Sequence, residues 1–173
     1  MDSKKLAQQL RTAMDTEVHG YVYYSALADM VEDPKGRNMF RHLAREEKDH
    51  VKVLKAIADS VDEGSAIPSY AEALEKGTGL PIFPEDNELV RRFKADPSDI
   101  NAVNIAIEAE EKAVDFYFDL LKQAGSPEEK VLLTKLLDME KSHLKVLRWE
   151  SESLTKSGFW CGEMEFSVEK ESG

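Results

Sequence analysis

Cysteine is nearly absent from this sequence. Cys161 stands alone, so no internal disulfide can form. Nor is there a C-x-x-C pair, which excludes a rubredoxin-type iron site and a thioredoxin-like motif in this chain. The one cysteine is expected to be partly buried and structural. Positive charge is also in deficit. Lys and Arg total 23 against 34 Asp and Glu, a formal charge of −11. That balance argues against nucleic acid or an anionic membrane as a partner. Long apolar runs are missing, and nothing approaches the roughly 20 residues of a membrane span. The opening MDSKKLAQQLRTAMDTEV has no apolar run. No signal peptide is therefore read there, and a cytoplasmic location is expected. Only six prolines are present, and four of them, Pro68, Pro81, Pro84 and Pro97, fall between residues 61 and 98.

What is present is helical periodicity. Over residues 3–32 the apolar stripe runs Leu6, Leu10, Met14, Glu17, Tyr21, Tyr24, Leu27 and Val31, in steps of three and four. Asp33-Pro34-Lys35-Gly36 breaks it. A second helix over about 36–60 shows Phe40, Leu43, Glu47, His50, Leu54 and Ile57. A third over 99–124 shows Ile100, Val103, Ile107, Glu110, Val114, Tyr117 and Leu121. A fourth over about 127–155 shows Leu133, Leu136, Glu140, His143, Leu147 and Leu154. The span 61–98 reads as one long crossover between the second and third of these helices. Short helices are expected inside it near Tyr70–Glu75 and Asn87–Phe93. The expectation is an all-α, ferritin-like four-helix bundle over 1–155, in which the crossover starts the third helix at the same end as the first. The segment 156–173, with Phe159, Trp160, Met164 and Phe166, is too apolar for a free tail. It is expected to pack on the bundle or on a partner subunit.

The two halves repeat each other. An offset of 93 residues, with no gap, carries Glu17 onto Glu110, Tyr24 onto Tyr117, Pro34 onto Pro127, Glu47 onto Glu140 and His50 onto His143. Each half supplies one lone glutamate and one E-x-x-H pair, all placed where the stripe would otherwise hold leucine. Residues three apart share a helix face, so Glu47 and His50 point together, as do Glu140 and His143. Four buried carboxylates need cationic company. Two divalent metals balance four glutamates, and neutral histidines add nothing. This donor set suits Fe(II) or Mn(II), and zinc could also occupy it. Oxidation to two Fe(III) would leave two surplus positive charges, which favours oxygen or peroxide chemistry.

One E-x-x-H on a helix is weak evidence and is more often a surface pair. Two copies on buried stripes, each 30 residues after a stripe glutamate, are a specific signal for a dinuclear centre. His19 and His42 lie off the stripes and read as surface histidines. Glu46, Glu108 and Glu111 flank the ligand candidates but point about 100° or more away, toward solvated faces. Tyr24 and Tyr117 follow Glu17 and Glu110 by two turns. They are either ordinary aromatic core or phenols donating to a ligand carboxylate of the opposite half.

At these residues the chain resembles the rubrerythrin-like branch of the ferritin-like di-iron carboxylate superfamily. The resemblance covers about 10–57 and 100–150. It rests on AMDTEVHGYVYY with REEKDH and on AIEAEEKAVDFY with DMEKSH. It implies that Glu17 and Glu110 are terminal carboxylates, that Glu47 and Glu140 bridge, and that His50 and His143 bind one metal each. Two iron ions per chain are implied, with manganese or zinc as alternatives. So is a homodimeric oxidoreductase that reduces hydrogen peroxide or dioxygen, drawing electrons from a separate donor such as a rubredoxin-like protein. The competing expectations are a ferroxidase or iron-storage protein and a non-catalytic metal-binding module. Two features depart from the family pattern. The rubredoxin-like domain is absent, and Ala113 stands where such proteins carry an extra glutamate.

Overall fold

The computed structural model describes residues 3–81 and 83–161, and it is helical throughout, with no strand among the described residues. Four long helices, α1 (Ser3–Met30), α2 (Pro34–Asp62), α5 (Asp99–Gln123) and α6 (Pro127–Ser157), carry the four stripes. Two short ones, α3 (Tyr70–Lys76) and α4 (Glu88–Ala95), lie between α2 and α5. Local chemistry sets the boundaries. Asp33 caps α2 by accepting from the Lys35 amide, and Ser126 caps α6 by accepting from the Glu129 amide. In both cases proline follows the cap at the first helical position, where its missing N–H costs nothing. Ser98 caps α5 through the Asn101 amide. None of the helices is long and apolar enough to cross a membrane.

Two packed pairs form the bundle, α1 with α2 and α5 with α6. Side-chain bonds fix how the pairs meet. Tyr23 Oη near the end of α1 donates to the Ala102 carbonyl near the start of α5, at 2.8 Å. Lys5 near the start of α1 reaches Gln123 at the end of α5, at 3.1 Å. α1 and α5 therefore run antiparallel, and α5 begins where α1 ends. This corrects the expected common start for the first and third long helices. Tyr24 and Tyr117 each bond the glutamate of the other half across this seam.

The short helices lie on the outside of the bundle. α3 packs on α2, while α4 packs on α1 and α5. Asn87 at the start of α4 donates from Nδ2 to the His19 carbonyl at 3.0 Å, and Arg92 pairs with Glu108 of α5 at 2.7 Å. After α6, Gly158 adopts a left-handed φ of 74°. That conformation suits glycine because it lacks a Cβ. It turns the chain back so that Trp160 is buried against Phe40, edge to face at 5.7 Å, and donates to Asp99 at 2.9 Å. Gly36 makes room for this ring, since a Cβ there would lie 2.7 Å from Trp160 Cε2. Phe159 stays exposed. Cys161 is partly buried, and its amide donates to the buried Glu150. Met164 and Phe166 lie outside the described residues.

The apolar core divides into two clusters. One gathers Tyr24, Leu27, Phe40, Leu43, Val103 and Leu147. The other gathers Leu10, Leu54, Ile57, Leu120, Leu133 and Leu136. A polar layer built from the middle turn of each long helix lies between them.

Candidate metal centre

That layer holds all six residues singled out by the repeat. Glu17 comes from α1, Glu47 and His50 from α2, Glu110 from α5, and Glu140 and His143 from α6. All six are buried, with Glu140 and His50 fully enclosed. Both imidazoles turn Nδ1 inward. His50 Nδ1 lies 2.9 Å from Glu140, 3.5 Å from Glu47 and 3.6 Å from Glu17. His143 Nδ1 lies 3.2 Å from Glu47, 3.5 Å from Glu140 and 3.6 Å from Glu110. The rings stack at 5.6 Å between centroids.

Two overlapping donor sets result. Glu17, Glu47, His50 and Glu140 offer ligand atoms within 4.8 Å of one another, and so do Glu47, Glu110, Glu140 and His143. Glu47 and Glu140 belong to both sets, which is the placement a bridging carboxylate needs. The donor atoms themselves fit a metal. Glu47 Oε2, both Glu140 carboxylate oxygens and Nδ1 of both histidines are buried without a hydrogen-bond partner among the described residues. Buried polar atoms are rarely left in this condition. Hard carboxylates with two imidazoles form a donor set suited to a divalent first-row ion.

Burial and close charges shift the titration of the layer. Burial alone would lower the His50 pKa. The carboxylates of Glu140, Glu17 and Glu47 outweigh it and hold His50 well above the ordinary value. The same contest raises His143, through Glu110, Glu140 and Glu46. Burial and the charges of Glu17 and Glu140 push the Glu47 carboxyl up. Burial and Glu140 raise Glu110 to about 7. For Glu140 burial acts upward too, but the two histidines overcome it and hold its pKa below the carboxylate range. Retained protons and bound cations are alternative ways to offset this buried negative charge.

The tyrosines link the halves. Tyr24 donates to Glu110 Oε1, and Tyr117 donates to Glu17 Oε1. Both phenols are buried, and burial together with the accepting carboxylate raises each well above its ordinary pKa. Each therefore stays a donor and holds one carboxylate oxygen in place.

Glu46 is placed differently from the sequence expectation. Its side chain is only 20% exposed, and its Oε2 lies 2.5 Å from His143 Nε2. His42 approaches its other oxygen at 3.2 Å. Burial would raise the Glu46 carboxyl, but the His143 and His42 bonds hold it well below its usual range. No helical stripe marks Glu46, because it reaches His143 only through the way α2 packs against α6. Glu108 and Glu111 do face outward, paired with Arg92 and Arg148. His19 is exposed.

A cavity of about 240 Å³ opens onto the layer between α1 and α5, beneath α4. Glu17, Glu47, Glu110 and Glu140 line its floor. Gly20 and Ala113, related by the 93-residue offset, line its walls. Their small size keeps the approach to the carboxylates open. No periodicity signals these two residues, since a small side chain on a mostly buried face reads as packing.

No curated protein and no solved structure gives a significant match to the chain. The family model described as rubrerythrin matches residues 8–150. That range takes in both hairpins, both E-x-x-H pairs and the two cross-half tyrosines. The chain belongs to the rubrerythrin family, within the ferritin-like di-iron carboxylate superfamily.

Proposed function

We propose that the chain holds two iron ions among Glu17, Glu47, His50, Glu110, Glu140 and His143, and reduces hydrogen peroxide with electrons from a separate donor protein. A rubredoxin-like protein is a chemically suitable donor, and a homodimer is the proposed working form. Bound iron supplies one-electron steps, and a pair supplies the two electrons that convert hydrogen peroxide and two protons into two waters.

The observation that carries this reading is the cavity over the carboxylate floor. The two apolar clusters close the layer along the bundle axis. The gap between Gly20 and Ala113 offers a small reactant an approach from the side. Tyr24 and Tyr117 keep Glu110 and Glu17 fixed while the charge between them changes. The surrounding apolar side chains limit water access and so strengthen electrostatic interactions inside.

Ferroxidation with iron storage is the second reading. Ala113 favours it, because this position of the cavity lining offers the metals no further carboxylate ligand. Rapid mixing of anaerobic di-iron(II) protein with one equivalent of peroxide separates the two. Near-ultraviolet ferric absorbance should develop with peroxide, and more slowly with dioxygen. If dioxygen alone produces it, the storage reading replaces the peroxidase one. A hollow multi-subunit assembly in solution would point the same way.

A further inference from the structure

The repeat makes the two halves nearly equivalent around the centre, and Glu46 is where the equivalence breaks. The offset that carries His50 onto His143 carries Glu46 onto Met139. Glu46 of the first half reaches Nε2 of His143 at 2.5 Å. The second half has methionine at the matching position. Correspondingly, His50 Nε2 is fully buried with no hydrogen-bond partner among the described residues.

This matters because both rings turn Nδ1 toward the carboxylates. A neutral imidazole that binds a metal through Nδ1 must carry its proton on Nε2. At His143 that N–H donates to Glu46, which fixes the tautomer, orients the ring and makes Nδ1 more basic. At His50 the same N–H is enclosed without an acceptor, so ligation there sacrifices hydrogen bonding. His42 Nε2 lies 3.2 Å from the other Glu46 oxygen.

We propose that Glu46 is a positioning residue that makes the two metal positions unequal, so that the one formed by Glu47, Glu110, Glu140 and His143 fills first and holds its ion more tightly. This inference rests on the reading that the cluster binds metals. The loss of one such outer partner typically costs 10–100-fold in metal affinity. The two positions should therefore differ by about that factor.

The test is a titration of the metal-free full chain with Co(II), followed by visible absorption and against a competing chelator. The native chain should bind two ions in resolved steps. Glu46→Ala should weaken the first step by about 10–100-fold and merge it with the second. Glu46→Gln, whose amide oxygen still accepts from Nε2–H, should restore part of the separation, which a purely structural role would not predict. Met139→Glu should tighten the second step. Glu46 is partly exposed, so these variants should fold, and melting temperatures check this. Two ions bound with equal affinity by the native chain, or steps unchanged in Glu46→Ala, overturn the inference and leave the functional reading standing. Absence of stoichiometric binding overturns both.

Discussion

Tyr117 on α5 donates its phenolic proton to Glu17 on α1, across the seam between the two halves of the chain. Tyr24 returns the same bond to Glu110. Removing either hydroxyl leaves a buried carboxylate oxygen without its donor. Tyr117→Phe and Tyr24→Phe should each lower stability by about 1–3 kcal/mol. Each should also loosen metal binding, since the carboxylate loses its fixed orientation. Thermal unfolding with and without metal measures both effects. A variant indistinguishable from the native chain in both would remove the phenol from the centre.

Glu47 and Glu140 each belong to both donor sets. Glu47→Ala and Glu140→Ala should therefore lose both metals. His50→Ala and His143→Ala should mainly weaken one. Metal analysis after gel filtration distinguishes the outcomes. Loss of a single metal in all four variants would contradict bridging.

The metal-free protein should lose stability as pH rises. Glu110 is raised to about 7, and Glu47 lies well above the ordinary value of 4.5. His50 and His143 lie well above 6.5. In each case the folded chain keeps a proton that the unfolded chain has released. That stabilisation is complete below the unfolded pKa and is lost as pH climbs through the folded one. For Glu110 the window runs from 4.5 to about 7. Within its window each group contributes a slope of about 1.4 kcal/mol per pH unit. Glu140 and Glu46 are shifted the other way, and their contribution fades only in stronger acid. Metal binding takes deprotonated ligands and strengthens with pH, so the loaded protein should not show the downward slope. Melting temperatures from about pH 4 to about pH 9 test this decline. A flat metal-free profile would argue against these protonation states.

Ala113→Glu would place a further carboxylate in the cavity lining, next to the floor glutamates. The metal-free variant should be less stable at neutral pH, through added like charge. The loaded variant should return to the reduced state faster with a fixed chemical reductant. Unchanged re-reduction kinetics would assign no role to this position.

Trp160 closes one end of the bundle, buried against Phe40 and bonded to Asp99. Trp160→Ala should cost about 3 kcal/mol by opening that space. Metal stoichiometry should be unchanged, because the ring lies among the apolar cluster rather than in the polar layer. Denaturant unfolding together with metal analysis tests both parts.

Much of this arrangement was legible in the sequence because helix periodicity is local. Glu17, Glu47, Glu110 and Glu140 announce themselves as acids where a stripe requires leucine. Pro34 and Pro127, each behind a polar cap, mark where α2 and α6 begin. The direction of α5 was not legible. The segment between α2 and α5 is long enough to end at either end of the bundle, and only tertiary bonds such as Tyr23 to Ala102 choose. Glu46 was hidden for a related reason. Its position on α2 marks it as peripheral, and the rotation of α2 against α6 brings it to His143.

The cross-half tyrosine bonds also determine what would happen if the chain were divided. Residues 63–69 lie outside every helix, so a cut there leaves each helical pair intact. Neither fragment could complete a donor set alone. Each would carry one lone glutamate, one E-x-x-H pair and a tyrosine whose acceptor lies in the other piece. The surface joining the fragments would contain all six candidate ligands, flanked by the two apolar clusters. Dissolved metal should then strengthen recombination of the two pieces, and a chelator should weaken it.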